Sequence, residues 1–353
     1  MNDHTDVDDS LRPPVREAEP ADAGQRELAP ASSAGAARRN VARSLSGRYS
    51  IIVIWLAMYG LYAVLMPGTF LHPAVITAIF SSQGSLEFLG LGAMITLAVG
   101  EFDMSIASTL GLSATIVPVL VTMHGTSVAL ACVIAIAASA AIGLINGLIV
   151  VRIGVSSLIV TLGNATLLLG VASLISNQTT VSGLSPGLAS VVGYPILGLP
   201  ATFYAGLLLA IFLAYLLGAT PLGRHMIFVG ANADVARLAG VRVDRIRMGA
   251  FIAGATVAGV GGVLRVAAEG GFDPTASPSY LLPTFASVFL GTAVIIPGRF
   301  NPIGTLVGVY FMSTGILGLQ LLGYNGWVQN VFYGAALVIA VSLATIVRRR
   351  SAT

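Results

Sequence analysis

Residues 126–151 read TSVALACVIAIAASAAIGLINGLIVV, twenty-six positions without one charge. A helix rises about 1.5 Å per residue, and roughly 17–25 apolar residues cross the ~30 Å hydrocarbon core of a bilayer. This run is long enough to cross. Outward from it the pattern repeats. Ten apolar segments are predicted as helices, at 51–66, 85–100, 104–123, 126–151, 157–176, 201–218, 248–268, 281–296, 302–322 and 327–346. Residues 72–84 are too short and too polar to span alone, and should extend the second helix or form a re-entrant piece. The chain of 353 residues is 56% apolar and 9% charged, against about 25% charged in a soluble domain. The expected fold class is therefore an all-α polytopic membrane protein of about ten transmembrane helices.

Charge is concentrated in residues 1–49, which hold eight of the fifteen acids and seven of the eighteen basic residues. With few apolar side chains to bury, they are expected to be a disordered cytoplasmic tail. The membrane-embedded body then runs over 50–347, and 348–353 form a short basic tail. Orientation follows from Arg placement. With ten spans and the N-terminal tail inside, the cytoplasmic face receives the seven tail Arg, Arg152, Arg224, Arg237, Arg242, Arg245, Arg247, Arg299 and Arg348 to Arg350. Only Arg265 falls outside. Both termini are thus expected in the cytoplasm.

Much chemistry is excluded. The chain has no Lys, so it has no P-loop and no lysine base or Schiff base. The lone Cys132 gives no disulfide framework. His4, His72, His124 and His225 are scattered, so no metal site is expected. Gly183-Leu-Ser185-Pro-Gly187 matches a nucleophile elbow, but that motif needs a strand before it and a helix after it. Here it is expected in an outer loop between two membrane helices, with the only downstream His, His225, on the opposite side. The basic residues do not line one face, which argues against nucleic acid.

Small residues recur inside the spans. Ala250, Gly254, Ala258 and Gly262 share one helix face, and Gly143/Gly147 and Gly304/Gly308 are GxxxG pairs, which suits close helix packing within one protomer. Glu101 and Asp103 sit between two apolar runs with almost no loop. They either cap a tight turn together with Ser105 or line a polar pathway. Gly100-Glu-Phe-Asp103 is echoed by Gly298-Arg-Phe-Asn301. Gln83, Glu87, Asn146, Thr161, Asn164, Gln320, Gln329 and Asn330 add neutral or isolated polar groups, a set suited to an uncharged, hydroxyl-rich solute. Arg265 and Glu269, four apart, should pair.

The longest hydrophilic loop, 219–247, contains a predicted short helix capped by Asn232 and ended by Gly240. Asp234 complements the helix dipole in its first turn. Val235, Leu238 and Ala239 form an apolar stripe, with Arg237 off it. So short a helix is unstable alone and needs a surface to dock on.

Here the sequence resembles the ribose-type permease family of bacterial ABC importers, over most of 50–346. The carriers are Thr220-Pro-Leu-Gly-Arg224, Gly230-Ala-Asn232 and Ala236-Arg-Leu-Ala-Gly240-Val-Arg-Val-Asp-Arg245, similar to the coupling loop, and Gly100-Glu-Phe-Asp103-Met-Ser105, similar to a Gly-Ile-Asp-Leu-Ser motif. Asn146-Gly147-Leu148, Val160-Thr161-Leu162-Gly163 and Tyr280-Leu281 match as well. The family's Gly-Gly pairs are replaced by Gly291-Thr292 and Pro297-Gly298. The resemblance implies a bacterial inner-membrane permease dimer, usually of two identical chains. Two cytoplasmic ATPases would hold ATP and Mg, with no cofactor in this chain, and an extracytoplasmic sugar-binding protein would deliver a monosaccharide or similar polyol-like solute. It makes Gly230, Asn232, Asp234, Val235, Arg237, Leu238 and Gly240 the ATPase-coupling residues. Glu101, Asp103, Ser105, Asn146, Thr161 and Asn164 become pathway residues. The rival reading is a self-powered secondary transporter or channel, a class that usually carries intramembrane ionisable groups.

Overall fold

The computed structural model describes residues 49–296, 298–324 and 326–350. The tail expected over 1–49 lies, but for Tyr49, outside the described residues, as do 351–353. The described chain is helical apart from two short strand pairs. Its helices are α1 (Ser50–Leu65), α2 (Pro73–Ser81), α3 (Gly84–Ala98), α4 (Ile106–Pro118), α5 (Val128–Leu148), α6 (Ser157–Ile175), α7 (Pro186–Val192), α8 (Ala201–Ala219), α9 (Pro221–Ala231), α10 (Ala233–Leu238), α11 (Val243–Glu269), α12 (Leu281–Gly291), α13 (Pro302–Leu321) and α14 (Trp327–Arg350). Each of the ten expected segments contains a helix, but the one expected over 281–296 stops at Gly291, where turns and bends begin.

Among the described residues, six helices are long and apolar enough to cross a bilayer: α4 and α5 with their π-helical continuations, α6, α8, α11 and α13. α2 and α3 make a seventh if the pair, bent by 40° at residues 82–83, is one broken span. The bend is where the sequence turns polar, at Ser81-Ser82-Gln83. α1 and α14 have shorter apolar stretches, and α12 has 11 residues.

Helix starts follow local chemistry. α2, α7, α9 and α13 each begin with Pro, whose missing N–H costs nothing in the first turn. The preceding residue caps each of them: His72, Ser185, Thr220 and Asn301 accept a backbone N–H from the turn they open. Ser185 is thereby a helix cap.

α11 is the central post, packed against α3, α4 and α5. Its small face makes this possible: Ala250, Gly254, Ala258 and Gly262 are all buried. A Cβ at Gly254 would come within 2.9 Å of the Gly92 carbonyl oxygen, and one at Gly262 within 2.4 Å of that of Leu110. The GxxxG pairs are spent inside the protomer too, Gly143 against the Phe251 carbonyl and Gly308 against that of Ser287. Lipid offers no hydrophobic drive between helices, so this backbone proximity supplies the dispersion contacts that hold the bundle. Burial is uneven. The spanning windows of α4 and α13 are 72% buried, while that of α6 is 17%.

At one end of α11, Val181–Ser182 pairs antiparallel with Gly271–Phe272, and Arg265 pairs with Glu269, as the i,i+4 spacing predicts. The Arg265 guanidinium also lies over the Tyr280 ring at 5.4 Å. The opposite end of α11 meets the features described next.

Candidate coupling and polar-turn sites

The chain leaves α3 through Gly100, whose φ of +85° is one a side chain would resist. It then forms the buried turn that starts α4. Asp103 is 1% exposed, and its Oδ1 accepts from the Ser105 backbone N–H at 2.9 Å and the Ser105 hydroxyl at 2.6 Å. Ser105 Oγ in turn accepts from Asn146 Nδ2 at 2.8 Å, and Asn146 Oδ1 accepts from Asn164 Nδ2 at 2.8 Å. Thr161 Oγ1 accepts the Met104 N–H at 2.9 Å and donates back to the Ser157 carbonyl. One relay therefore joins the turn to α5 and α6. Asp103 Oδ2 is buried with no hydrogen-bond partner among the described residues. Five of the six expected pathway residues fall in this relay. Glu101 points elsewhere, to an ion pair with Arg247 at the start of α11.

The echoed motif folds the same way. Gly298 has φ +81°, and Asn301 Oδ1 caps α13 by accepting the Gly304 N–H at 2.6 Å. The two turns are adjacent: Phe289 lies 6.3 Å from Phe102 and 5.6 Å from Phe300, ring centre to ring centre. A cavity of about 410 Å³ opens between them, with Gly100, Phe102, Gly230, Gly298 and Phe300 in its wall.

Gly230, near the end of α9, lies directly on the first turn. A Cβ there would sit 2.2 Å from the Ala98 carbonyl oxygen. Two residues later Asn232 breaks the helix and caps α10, its Oδ1 accepting the Asp234 and Val235 N–H groups at 3.0 and 3.1 Å. Gly240, at φ +80°, lets the chain turn into α11. Ala236 is fully buried and anchors α10, while Leu238 is 89% and Val235 48% exposed. Arg237 bridges Asp234 and Asp244, each at 3.4 Å. These exposed pairs add little energy but hold the helix in place.

An anchored helix with a bare leucine, joined through α9 to a buried polar turn of a membrane bundle, suits a subunit moved by another protein. Comparison with known proteins agrees. Residues 75–341 match the family described as "Branched-chain amino acid transport system / permease component". The chain belongs to this permease family. The permease is 29% identical over 311 residues to the L-arabinose ABC transporter permease of Azospirillum brasilense, covering 88% of this chain and 91% of that one. It is 27% identical over 304 residues to the D-allose transport system permease of Escherichia coli K12, with coverages of 86% and 92%. It is also 29% identical over 270 residues to an autoinducer 2 import system permease of Salmonella paratyphi B, with coverages of 76% and 78%. No solved structure matches it. The chain is a multi-pass ABC importer permease of the ribose type, a transport subunit rather than an enzyme.

Sequence reasoning missed two pairs in the permease. Arg247 counted only as a cytoplasmic charge, yet it neutralises Glu101. Glu87, fully buried, accepts the Tyr310 hydroxyl, and its other oxygen lies against Gly206, where a Cβ would overlap it. The available signal was a charge inside an apolar span, which calls for a partner without saying which.

Proposed function

We propose that this chain is the membrane half of an ATP-driven importer for a monosaccharide or similar polyol-like solute. It crosses a bacterial inner membrane ten times with both termini in the cytoplasm, and works as a dimer, in the first instance of two identical chains. The three shorter helices, α1, α12 and α14, complete the ten, and the Arg distribution supports the hand. A cytoplasmic ATPase that binds ATP and Mg docks on Gly230, Asn232, Asp234, Val235, Arg237, Leu238 and Gly240. An extracytoplasmic binding protein delivers the solute. The sugar names of the relatives support the substrate class, as does the shortage of charge in the spans.

The observation that carries this reading is α10: capped at its N-terminus, fixed beneath by Ala236, and bare at Leu238. Closure of the ATPases would press α10, and Gly230 would pass the movement to the Gly100–Ser105 turn. From there the relay through Asp103, Ser105, Asn146, Thr161 and Asn164 reaches α5 and α6, whose polar groups face the solute in the open state. A bundle with two such packings alternates access. Uptake of labelled sugar into proteoliposomes tests the reading. It should require the ATPase, the binding protein and internal or external ATP on the ATPase side. Uptake by the chain alone on a proton or sodium gradient would refute it.

A further inference from the structure

On the flank of α9 a second cavity, of about 310 Å³, lies between the end of α8, the first turns of α9 and the turn leading into α13. That volume is at the low end of small-molecule sites. Ala214, Leu217, Ile227 and Ile303 give it apolar walls, and Arg224 and Arg299 stand in its lining. Both arginines are exposed. Neither belongs to any ion pair among the described residues, where Arg237, Arg247 and Arg265 take the carboxylates. The two are 75 positions apart in sequence, so the fold, not a basic run, brings them to one cavity.

The combination is selective. Two hydrated guanidiniums have no need of an apolar cavity, and a soluble anion would leave that cavity uncovered. An anionic amphiphile satisfies both halves. The surface suits lipid, since Ile296 in the cavity wall and Tyr215, next to Ala214 in α8, are large, apolar or amphipathic, and exposed. On the topology proposed above, on which this inference rests, the arginines lie at the cytoplasmic membrane surface, where anionic headgroups attract basic side chains. None of the seven coupling residues lines the cavity.

We propose that this cavity binds an anionic phospholipid of the inner leaflet, with the phosphate on Arg224 and Arg299 and part of an acyl chain among Ala214, Leu217, Ile227 and Ile303. The full-length permease in nanodiscs of equal phosphatidylglycerol and phosphatidylethanolamine, released for native mass spectrometry, gives the test. Phosphatidylglycerol should be retained preferentially. Arg299→Gln should cut that preference about fivefold, and Arg224→Gln with Arg299→Gln roughly 25-fold, from about one interaction of surface strength per arginine. Ala214→Phe, which fills the cavity and keeps both arginines, should also abolish it, and excess inorganic phosphate should not displace the lipid.

Equal retention of the two lipids would overturn the proposal. So would displacement by phosphate with Ala214→Phe unaffected, which would mean a simple anion site. Loss of ATPase co-purification in Arg299→Gln with lipid retention unchanged would also overturn it, since the arginines would then meet protein. Failure of the topology shows separately: in a Cys132→Ser background, labelling of Arg299→Cys by an impermeant thiol reagent from outside would move the site to the other leaflet and refute the inner-leaflet claim. The lipid selectivity itself carries no sidedness and is read independently.

Discussion

Replacing Gly230 by Ala is the sharpest perturbation of the proposed coupling route. The added Cβ would fall 2.2 Å from the Ala98 carbonyl oxygen and 3.0 Å from its carbon. Contacts under 3.0 Å are essentially never seen, so α9 and the end of α3 must separate by about 0.8 Å, the difference between 3.0 and 2.2 Å. Both partners are backbone, and no rotamer can absorb the shift. Overpacking of this kind costs about 1–3 kcal/mol, a drop of several degrees in the unfolding midpoint. The functional cost should be larger than the stability cost, because the displaced joint is the one proposed to carry motion from α10 to the turn. ATP-driven uptake in proteoliposomes should fall at least about tenfold, while the ATPase still co-purifies, since Val235 and Leu238 are untouched. Gly249→Ala is the control. It lies in α11 with no atom within 4 Å of an added Cβ, and should raise stability by up to about 1 kcal/mol with normal uptake. A Gly230→Ala permease that transports at the wild-type rate would refute the joint.

Leu238→Arg should abolish ATPase co-purification while leaving membrane insertion intact, and unchanged co-purification would remove α10 from its role. Asp103→Asn keeps an acceptor for Ser105 and should hold thermal stability within about 1 kcal/mol, whereas Asp103→Ala leaves the buried Ser105 N–H and hydroxyl without their acceptor at a cost of about 1–3 kcal/mol. If Asp103→Asn nonetheless stops uptake, the carboxylate serves the pathway and not the turn alone. Glu87→Leu leaves the buried Tyr310 hydroxyl without its acceptor, a loss of about 1–3 kcal/mol, which Tyr310→Phe in the same chain should largely relieve; denaturation in detergent measures both. Gly206→Ala meets the end of the Glu87 side chain rather than backbone, so it should force that carboxylate to turn and weaken its bond to Tyr310, at a lower cost than Gly230→Ala.

What the sequence disclosed, and what it did not, divides by range. The helical segments were legible because a lipid solvent forces a crossing to be apolar along its length, and six of the described helices are long and apolar enough to cross. Asn232 and Gly240 were legible because caps and turns are local chemistry, whereas over 72–84 the sequence left open an extension of the second helix or a re-entrant piece. The Gly-charged-Phe-Asx echo, four positions long, proved to be a repeated piece of structure, a left-handed glycine, an aromatic and an Asx side chain that accepts a downstream backbone N–H, although only Asn301 sits at a helix N-cap. Pairings were different. Glu101 finds Arg247 across 146 positions and Glu87 finds Tyr310 across 223, separations at which no spacing rule operates. The candidate polar residues could be named singly, but their order in a relay depends on α5 and α6 meeting the turn.

That relay also indicates which part of the bundle can move. α4 and α13 are held by close packing over most of their length, and shifting them would break many dispersion contacts at once. α6 is different, with its spanning window only 17% buried. Ser157 and Thr161 bind it to the backbone of Phe102 and Met104, and Asn164 binds it to Asn146. Hydrogen bonds of this kind can exchange partners for about 1 kcal/mol each, far less than repacking a core helix. A push delivered through Gly230 to the Gly100–Ser105 turn therefore meets least resistance in α6. Thr161→Val, similar in shape but without the hydroxyl, removes the acceptor of the Met104 N–H and should loosen α6 selectively. Hydrogen exchange should rise in α6 and in the turn, with α4 and α13 unchanged. Equal protection in all four would mean that α6 is fixed by contacts other than these, and that the moving element lies elsewhere.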